Sequence, residues 1–205
     1  MNAQLLEPIL QSVELPKLIR ELQKRWEDEQ ARRHEFWENI SDDVKAEFIQ
    51  GEIIYHSPVK RRHLRASRKI LNQLINHTDG KNMGEVGYEK TMIRLTRNDY
   101  EPDICFWAHE KVQLFDDDQS IFPVPNFIVE VLSPSTEDRD RGVKFQDYAL
   151  HGVSEYWIVD PKNKFIEQYI LENDQYTLVF KSQKSQVESR AVPGFQMLVE
   201  DIFKN

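Results

Sequence analysis

Two short apolar segments each carry a carboxylate where the pattern predicts a buried strand. Residues 101–107 read Glu-Pro-Asp-Ile-Cys-Phe-Trp and include Asp103; residues 127–133 read Phe-Ile-Val-Glu-Val-Leu-Ser and include Glu130. An ionised carboxylate in an apolar strand is costly unless a cation pairs with it. Lys144 lies on the next predicted helix, so a hard-cation site beside an ammonium group is the favoured interpretation. The alternative is structural, with each acid at an exposed edge or paired with an arginine.

Bulk composition limits the class of protein. The chain has 205 residues, 40% hydrophobic and 30% charged, which suits one α/β domain with a core and an appendage. Its single cysteine, Cys105, excludes an internal disulfide and a Cys-based zinc motif. The sequence has neither an apolar run of membrane-spanning length nor the pattern of a secretory signal, so we expect a cytoplasmic protein that does not bind membranes.

The charge is distributed unevenly. A net charge of −8 argues against a protein whose whole surface binds nucleic acid nonspecifically. Residues 53–78, however, contain no Asp or Glu and carry six cations, together with three histidines: Lys60, Arg61, Arg62, Arg65, Arg68, Lys69, His56, His63 and His77. This segment predicts a docking surface for a polyanion, with Arg61, Arg65 and Arg68 on one helix stripe. The alternative is a solvated helix face.

The N-terminal part of the chain predicts one long helix, from about residue 15 to residue 40. Pro16 suits its first turn, and an interrupted apolar stripe includes Trp26, Phe36 and Trp37. The heptad pattern breaks at Glu29 and Arg33, so a long coiled coil is not expected. We expect this helix to pack on the domain or on a second subunit.

The rest of the chain alternates between predicted strands and helices. After a strand or hairpin arm at 48–55, a helix is expected with Leu64, Leu71, Leu74 and Ile75 facing inward. Strands are expected near 91–97, 102–107 and 127–132, a helix from Ser133 to about Leu150, and three further strands at 155–159, 165–170 and 176–180. This order predicts a mixed sheet with helices packed on it.

The alternation of side chains along a strand predicts the sheet face on which each acid lies. Asp103 shares a strand face with Cys105 and Trp107, and Glu130 shares one with Ile128 and Leu132. If the two strands are neighbours, the carboxylates converge. Oxygen ligands without a His or Cys set suit Mg²⁺ or Mn²⁺ rather than zinc. Glu52 is a third acid in an apolar strand and is expected to join the site.

A series of motifs follows in order along the chain: Gly51-Glu52, Ser57-Pro58 with His63, Pro102-Asp103, Glu-Val-Leu-Ser-Pro-Ser-Thr at 130–136, Asp140, Lys144, Tyr148 and the segment 152–161. Together they resemble the restriction-endonuclease-like family of the PD-(D/E)XK nuclease superfamily, from about residue 48 to residue 161. The resemblance implies an α/β, restriction-endonuclease-like fold with a mixed central sheet flanked by helices. Residues 1–40 would be an N-terminal helical extension, and residues 41–205 the nuclease-like domain.

One position departs from the superfamily pattern. The superfamily lysine usually lies two residues after the strand glutamate, where this chain has Leu132. In the family that the chain resembles, the lysine has moved to the following helix, and Lys144 matches it. We expect Lys144, Arg141 and Tyr148 to lie on one face of that helix.

The resemblance also implies a mechanism, metal-dependent hydrolysis of DNA phosphodiester bonds. Asp103 and Glu130 would hold Mg²⁺ or Mn²⁺ with the backbone carbonyl of Val131. Lys144 would orient the attacking water or stabilise the transition state. Glu52 would polarise a metal-bound water or complete the coordination shell of the metal, and His63 would contact phosphate.

Three functions remain open at this point. The first is a magnesium-dependent DNA endonuclease; the second is a nuclease-fold binding or regulatory module without turnover; the third is a phosphodiesterase acting on RNA or a small nucleotide. The set of acids with Lys144 favours the enzyme, while Leu132 and the acidic bulk charge favour the module. A homodimer assisted by the N-terminal helix is expected, because cutting both strands of a duplex suits two sites related by a two-fold axis.

Overall fold

A computed structural model of the chain describes residues 3–41 and 43–204. The helices of this described part are α1 (Ala3–Leu10), α2 (Leu15–Asn39), α3 (Arg61–Thr78), α4 (His109–Val112), α5 (Glu137–Arg141), α6 (Val143–Leu150) and α7 (Val199–Phe203). The strands are β1 (Ala46–Ile49), β2 (Glu52–Tyr55), β3 (Gly84–Tyr88), β4 (Met92–Arg94), β5 (Asp99–Tyr100), β6 (Ile104–Ala108), β7 (Ile121–Phe122), β8 (Phe127–Val131), β9 (Glu155–Asp160), β10 (Phe165–Glu172), β11 (Gln175–Ser182), β12 (Gln186–Glu188) and β13 (Gln196–Leu198).

The strands form two larger mixed sheets and one small one. The six-stranded sheet has the order β11-β10-β9-β8-β6-β3, and the five-stranded sheet has the order β2-β1-β5-β4-β7. Within the six-stranded sheet β8 and β9 are parallel, while β6 and β8 are antiparallel. The remaining small sheet pairs β12 with β13. The β6–β8 pairing is the one that matters for the site, because each strand carries one of the two predicted carboxylates at or beside its end.

Two apolar clusters cover the two faces of the six-stranded sheet. On one face, Ile104, Val129 and Trp157 pack with residues of α3 and α7. On the other face, a second cluster joins residues of both larger sheets with α6, including Tyr148. Asp103 and Glu130 belong to this second face by strand alternation, so the fold directs them toward α6 and the five-stranded sheet.

The N-terminal helix has the predicted bounds, and its second half packs on the domain. The polar residues that interrupt its apolar pattern are the ones that bind it to the domain. Arg33 is 3% exposed and forms an ion pair with Asp99 of β5, with 2.7 Å between Nε and Oδ2. Glu29 pairs with Arg97 at 2.7 Å. Phe36 packs against Phe48 of β1 with ring centroids 5.9 Å apart.

Two helices differ from the sequence prediction. The inward stripe of α3 consists of His63, Ala66, Ile70 and Leu74, whereas Leu64 is 54% exposed. The predicted helix from Ser133 to Leu150 is divided into α5 and α6 at Gly142, which has non-helical dihedrals of φ −110° and ψ −100°. The strand β3 and the C-terminal elements β12, β13 and α7 were not predicted.

No helix in residues 3–41 and 43–204 is both long enough and apolar enough to cross a membrane.

Candidate active site

Asp103 and Glu130 lie side by side on one face of the six-stranded sheet. Ile104 pairs with Val129 in the antiparallel β6–β8 ladder, so the preceding residue Asp103 lies opposite the following residue Glu130. The backbone N–H of Asp103 is 3.4 Å from Oε2 of Glu130, and the N–H of Val131 donates to Oδ2 of Asp103 at 2.8 Å. The predicted convergence of the two carboxylates is therefore present in the structure.

Lys144 places a buried ammonium group behind these acids. Its Nζ lies 2.8 Å from Oε1 of Glu47, 2.9 Å from Oε1 of Glu130 and 3.4 Å from Oδ1 of Asp140. The side chain is almost completely buried, and the hydroxyl of Tyr148, one turn further along α6, donates to Glu130 at 3.1 Å. The structure thus brings Lys144 to the carboxylates from a helix, as the resemblance implied.

Arg141, expected on the same helix face as Lys144, lies elsewhere. It belongs to α5, before the break at Gly142, and its Nη1 donates to Oε2 of Glu167 on β10 at 2.6 Å. The separation of α5 from α6 therefore takes Arg141 off the helix face of Lys144 and gives it a partner in the six-stranded sheet.

The third acid of the site is Glu47 and not Glu52. Glu47 is fully buried on β1, where Oε1 accepts the N–H of Glu101 at 3.0 Å and Oε2 lies 3.1 Å from Nε2 of His56. Glu52 is exposed at the start of β2, pairs with Ile49 beside the hairpin turn, and is not among the described residues that line the cavity. Both glutamates project from the same hairpin face, but only Glu47 lies at the end that meets β8 and α6.

Two further basic side chains contact Asp103. Nε2 of His63 lies 3.1 Å from Oδ2, and Nζ of Lys45 lies 3.4 Å from Oδ1. His63 was predicted to contact phosphate, and the structure instead places its ring against a carboxylate. Lys45 was missed, although it directly precedes the buried strand β1 and its position beside a strand acid was a usable signal.

Burial and neighbouring charges shift the pKa values of Glu130 and Glu47 in opposite directions. Burial raises the pKa of Glu130 to about 8, because Lys144 only partly offsets the desolvation and the repulsion from Asp140 and Asp103. Burial also acts to raise the pKa of Glu47, but Lys144 and His56 outweigh it and lower that pKa to about 2. Burial opposes the charge of Lys144, yet its carboxylate neighbours raise its pKa well above the ordinary value. Lys144 is therefore an ammonium group and a hydrogen-bond donor at neutral pH.

The site opens into a cavity of about 290 Å³. Its described lining combines the acids and their cations with a hydroxyl-bearing loop and the end of the β1–β2 hairpin, namely Lys45, Tyr55, His56, Ser57, Pro58, Val59, His63, Asp103, Glu130, Ser133, Ser135, Thr136, Arg139 and Lys144. The first residues of α3 follow directly after Val59. Arg61 and Arg68 are exposed on that helix, and Arg65 is half-buried.

The carboxylates of the site can be tested for their fit to a hard divalent cation. Among residues 3–41 and 43–204, no group of three or more His, Cys, Asp and Glu side chains is arranged to hold a metal ion. Asp103 and Glu130 nevertheless supply two adjacent carboxylates that line the cavity. Mg²⁺ usually takes one or two carboxylates and completes its octahedron with water and substrate phosphate. Two adjacent carboxylates at the wall of a cavity therefore form a set of oxygen ligands that fits Mg²⁺ or Mn²⁺.

Comparison with known proteins gives the same class of molecule. The fold resembles a crystal structure from Anabaena variabilis described as a "putative nuclease belonging to DUF820", with a TM-score of 0.72 and 16% identity over 83% of this chain and 96% of that one. This likeness confirms the α/β, restriction-endonuclease-like fold with mixed sheets flanked by helices.

The sequence comparisons identify the family. Residues 28–200 match the model of the Uma2 family, described as "Putative restriction endonuclease". The chain is 27% identical to the uncharacterized protein slr1290 of Synechocystis sp. over 94% of its length and 95% of that protein, and 28% identical to sll1609 of the same organism over 66% and 77%. The chain therefore belongs to the Uma2 family.

Replacing Lys144 by methionine should destabilise the fold strongly at neutral pH. The change leaves Glu47, Glu130 and Asp140 buried without their shared cation, and removing one partner from a buried charge cluster costs about 3–5 kcal/mol. Urea unfolding measures the difference. The mutant's deficit should shrink as the pH falls from about 7 toward 2. In the mutant, the buried Glu47 takes up its proton above its ordinary pKa because Lys144 no longer holds it ionised, and below that pKa the wild type loses the stability that its ionised Glu47 provides.

The wild type supplies the other half of this comparison. Its lowered Glu47 pKa stabilises the fold above the unfolded-state pKa, and this contribution is lost as the pH falls toward 2. The raised Glu130 pKa has the opposite sign and weakens the fold as the pH rises toward 8. A deficit that stays constant from pH 7 to pH 4 would contradict the shared-ammonium account.

Proposed function

We propose that this protein is a metal-dependent endonuclease that hydrolyses DNA phosphodiester bonds. The observation that carries the proposal is the Asp103–Glu130 pair, which lies on one sheet face, lines a cavity and is backed by the ammonium of Lys144. Membership of a restriction-endonuclease-like family supports the same reaction class.

The cation would be Mg²⁺ or Mn²⁺. Asp103 and Glu130 would hold it with the backbone carbonyl of Val131, which follows Glu130 directly on β8. When bound, such a cation lowers the pKa of coordinated water and neutralises charge that develops on the scissile phosphate. The neighbouring backbone supports this geometry, since the Val131 N–H already fixes the Asp103 carboxylate at 2.8 Å.

Lys144 acts as a donor in this proposal. Its protonated state excludes it as a general base, so its part is to fix Glu130 and to orient the attacking water or stabilise the charged transition state. Glu47 holds the ammonium from the opposite side at 2.8 Å. Lys45 is a second ammonium group, and its side chain is 25% exposed, which makes it more accessible than Lys144 to an anion entering the cavity.

Cleavage assays with plasmid, single-stranded DNA and RNA in the presence of Mg²⁺ or Mn²⁺ test the proposal. Asp103→Asn and Glu130→Gln should each abolish metal-dependent cleavage of DNA while the protein stays folded, because either change removes an anionic ligand. Glu52→Gln is the matched control, since Glu52 is exposed on β2 and should cut at the wild-type rate.

The substrates separate the alternatives. Cleavage confined to RNA would replace the DNA proposal by an RNA phosphodiesterase. Nucleic-acid binding without turnover under any of these metal conditions would indicate a nuclease-fold binding module. Wild-type cleavage rates in Asp103→Asn or Glu130→Gln would remove the metal-site assignment.

The basic stripe of α3 is proposed to contact the DNA backbone. Arg61, Arg65 and Arg68 lie on successive turns just after the cavity wall, and Arg61 and Arg68 are exposed. Replacing both exposed arginines by glutamine should weaken duplex binding and reduce the slope of log K against log salt by about 0.9 per lost phosphate contact. Arg190→Gln, at an exposed arginine that pairs with Glu172 away from α2 and α3, is the control. An unchanged slope would assign the stripe to the solvated surface.

A homodimer formed through the first half of α2 is also proposed. Phe36 and Trp37 find their apolar partner on their own domain, and Arg94 lies over the Trp37 ring at 3.8 Å. Ile19, Leu22 and Trp26 remain 46%, 54% and 44% exposed on one face. In an antiparallel pair, the basic start of one helix would face the acidic middle of its partner (Lys17, Arg20, Lys24 and Arg25 against Glu27 and Asp28).

Light scattering of the wild type and of a Leu22→Glu variant tests the dimer. The variant should lose the dimer, because a charge placed at the centre of the apolar face is desolvated on pairing. Arg20→Glu would weaken the pairing less, and Gln23→Glu, on the same helix but off this face, is the control. A monomeric wild type would rule the dimer out.

A further inference from the structure

Arg139 differs from the other basic side chains that line the cavity. Lys45 and His63 face Asp103, His56 faces Glu47, and Lys144 faces Glu130. Within the described part of the chain, Arg139 has no carboxylate at ion-pair distance; its Nη2 donates to the carbonyl of Ser135 at 2.8 Å. Its Nε is buried without a hydrogen-bond partner. A guanidinium with unmatched charge and an unused donor is a costly arrangement unless an anion completes it.

Three hydroxyl groups line the same cavity. Ser133 Oγ lies 3.0 Å from Oγ of Ser135 and 3.1 Å from Oγ1 of Thr136. Each hydroxyl carries one proton that can rotate toward a new acceptor. The hydroxyl cluster can therefore donate to an anion at the cavity wall, and Arg139 supplies the opposite charge.

We infer that Arg139 and the hydroxyls of Ser133, Ser135 and Thr136 form a phosphate-binding subsite, which takes a substrate phosphate next to the one that is cut. The inference rests on the proposed nuclease function for the identity of the substrate. Guanidinium groups bind phosphate oxygens through paired N–H donors, which suits Arg139 better than a lysine at this position.

The subsite lies close enough to the acids to serve the same substrate strand. Ser133 follows Glu130 by three residues, and three extended residues span at most about 10 Å. The exposed arginines of α3 follow another part of the lining, after Val59. A nucleic-acid strand that enters from α3 and passes Asp103 and Glu130 would then reach Arg139. The phosphates on both sides of the cut phosphodiester bond would therefore be bound.

Fluorescence anisotropy with a labelled oligonucleotide, without added metal, tests the subsite separately from cleavage. Arg139→Gln should reduce the slope of log K against log salt by about 0.9 on duplex DNA or about 0.7 on a single strand, the value for one phosphate contact. Arg139→Lys should keep the slope and lose part of the affinity. Arg141→Gln is the matched control, because the Arg141 charge is taken by Glu167; its slope should equal that of the wild type.

A second readout does not depend on nuclease function. Inorganic phosphate should raise the Tm of the wild type and of Arg141→Gln above the value in chloride of equal ionic strength, and should not raise that of Arg139→Gln. Ser135→Ala, at an exposed position, should reduce the rise. If Arg139→Gln folds poorly, the reduced phosphate response of Ser135→Ala carries the same comparison.

The outcomes separate the subsite from the proposed function. An Arg139-dependent phosphate effect in a protein that cuts no nucleic acid supports the subsite and removes the nuclease. Cleavage with no change in slope or phosphate response in Arg139→Gln overturns the subsite alone. Oligonucleotides with a 5′-phosphate or a 5′-hydroxyl identify the source: an Arg139 effect on both indicates an internal phosphate, and an effect only on the former indicates a terminal one.

Discussion

The ammonium of Lys144 is the interaction on which the architecture around the site depends. It joins Glu47 of the five-stranded sheet, Glu130 of the six-stranded sheet and Asp140 of α5 within 3.4 Å, from a position that is almost completely buried. Burying several carboxylates at one place is tolerable only if a cation is buried with them. The same cation therefore fixes the relative positions of both sheets and of α6.

A second buried ion pair ties the N-terminal helix to the site. Arg33 of α2 pairs with Asp99 of β5 and also donates to the carbonyls of Thr96, Leu95 and Asn98. The strand β5 leads within four residues to Asp103. The second half of α2 thus supports the segment that carries Asp103, and its first half projects as an extension.

The sequence allowed prediction of the elements whose residues carry a local signal. Asp103 and Glu130 were found because a charge in an apolar strand needs a partner, and strand alternation then placed both on one face. Lys144 came from the family pattern rather than from any local preference. The bounds of α2 followed from Pro16 and the apolar stripe.

The sequence predictions that were wrong concern which residues face the site, and tertiary contacts determine this. Glu47 and Glu52 share a hairpin face, and nothing local indicates which end of the hairpin meets β8 and α6. Leu64 was expected to face inward by hydropathy, but His63 takes the inward position because it contacts Asp103 at 3.1 Å. The polar residues Glu29 and Arg33 suggested a break in packing, whereas their partners Arg97 and Asp99 lie 68 and 66 residues further along the chain.

The basic side chains of the site differ in how firmly they are held. Lys144 is shared by three buried carboxylates, so an incoming metal or substrate would displace it only at the cost of leaving those charges unpaired. Among the carboxylates of the described residues, Lys45 and His63 lie within ion-pair distance of Asp103 alone, at 3.4 and 3.1 Å. They are therefore held less firmly than Lys144, and they line the cavity wall, where an anion can reach them.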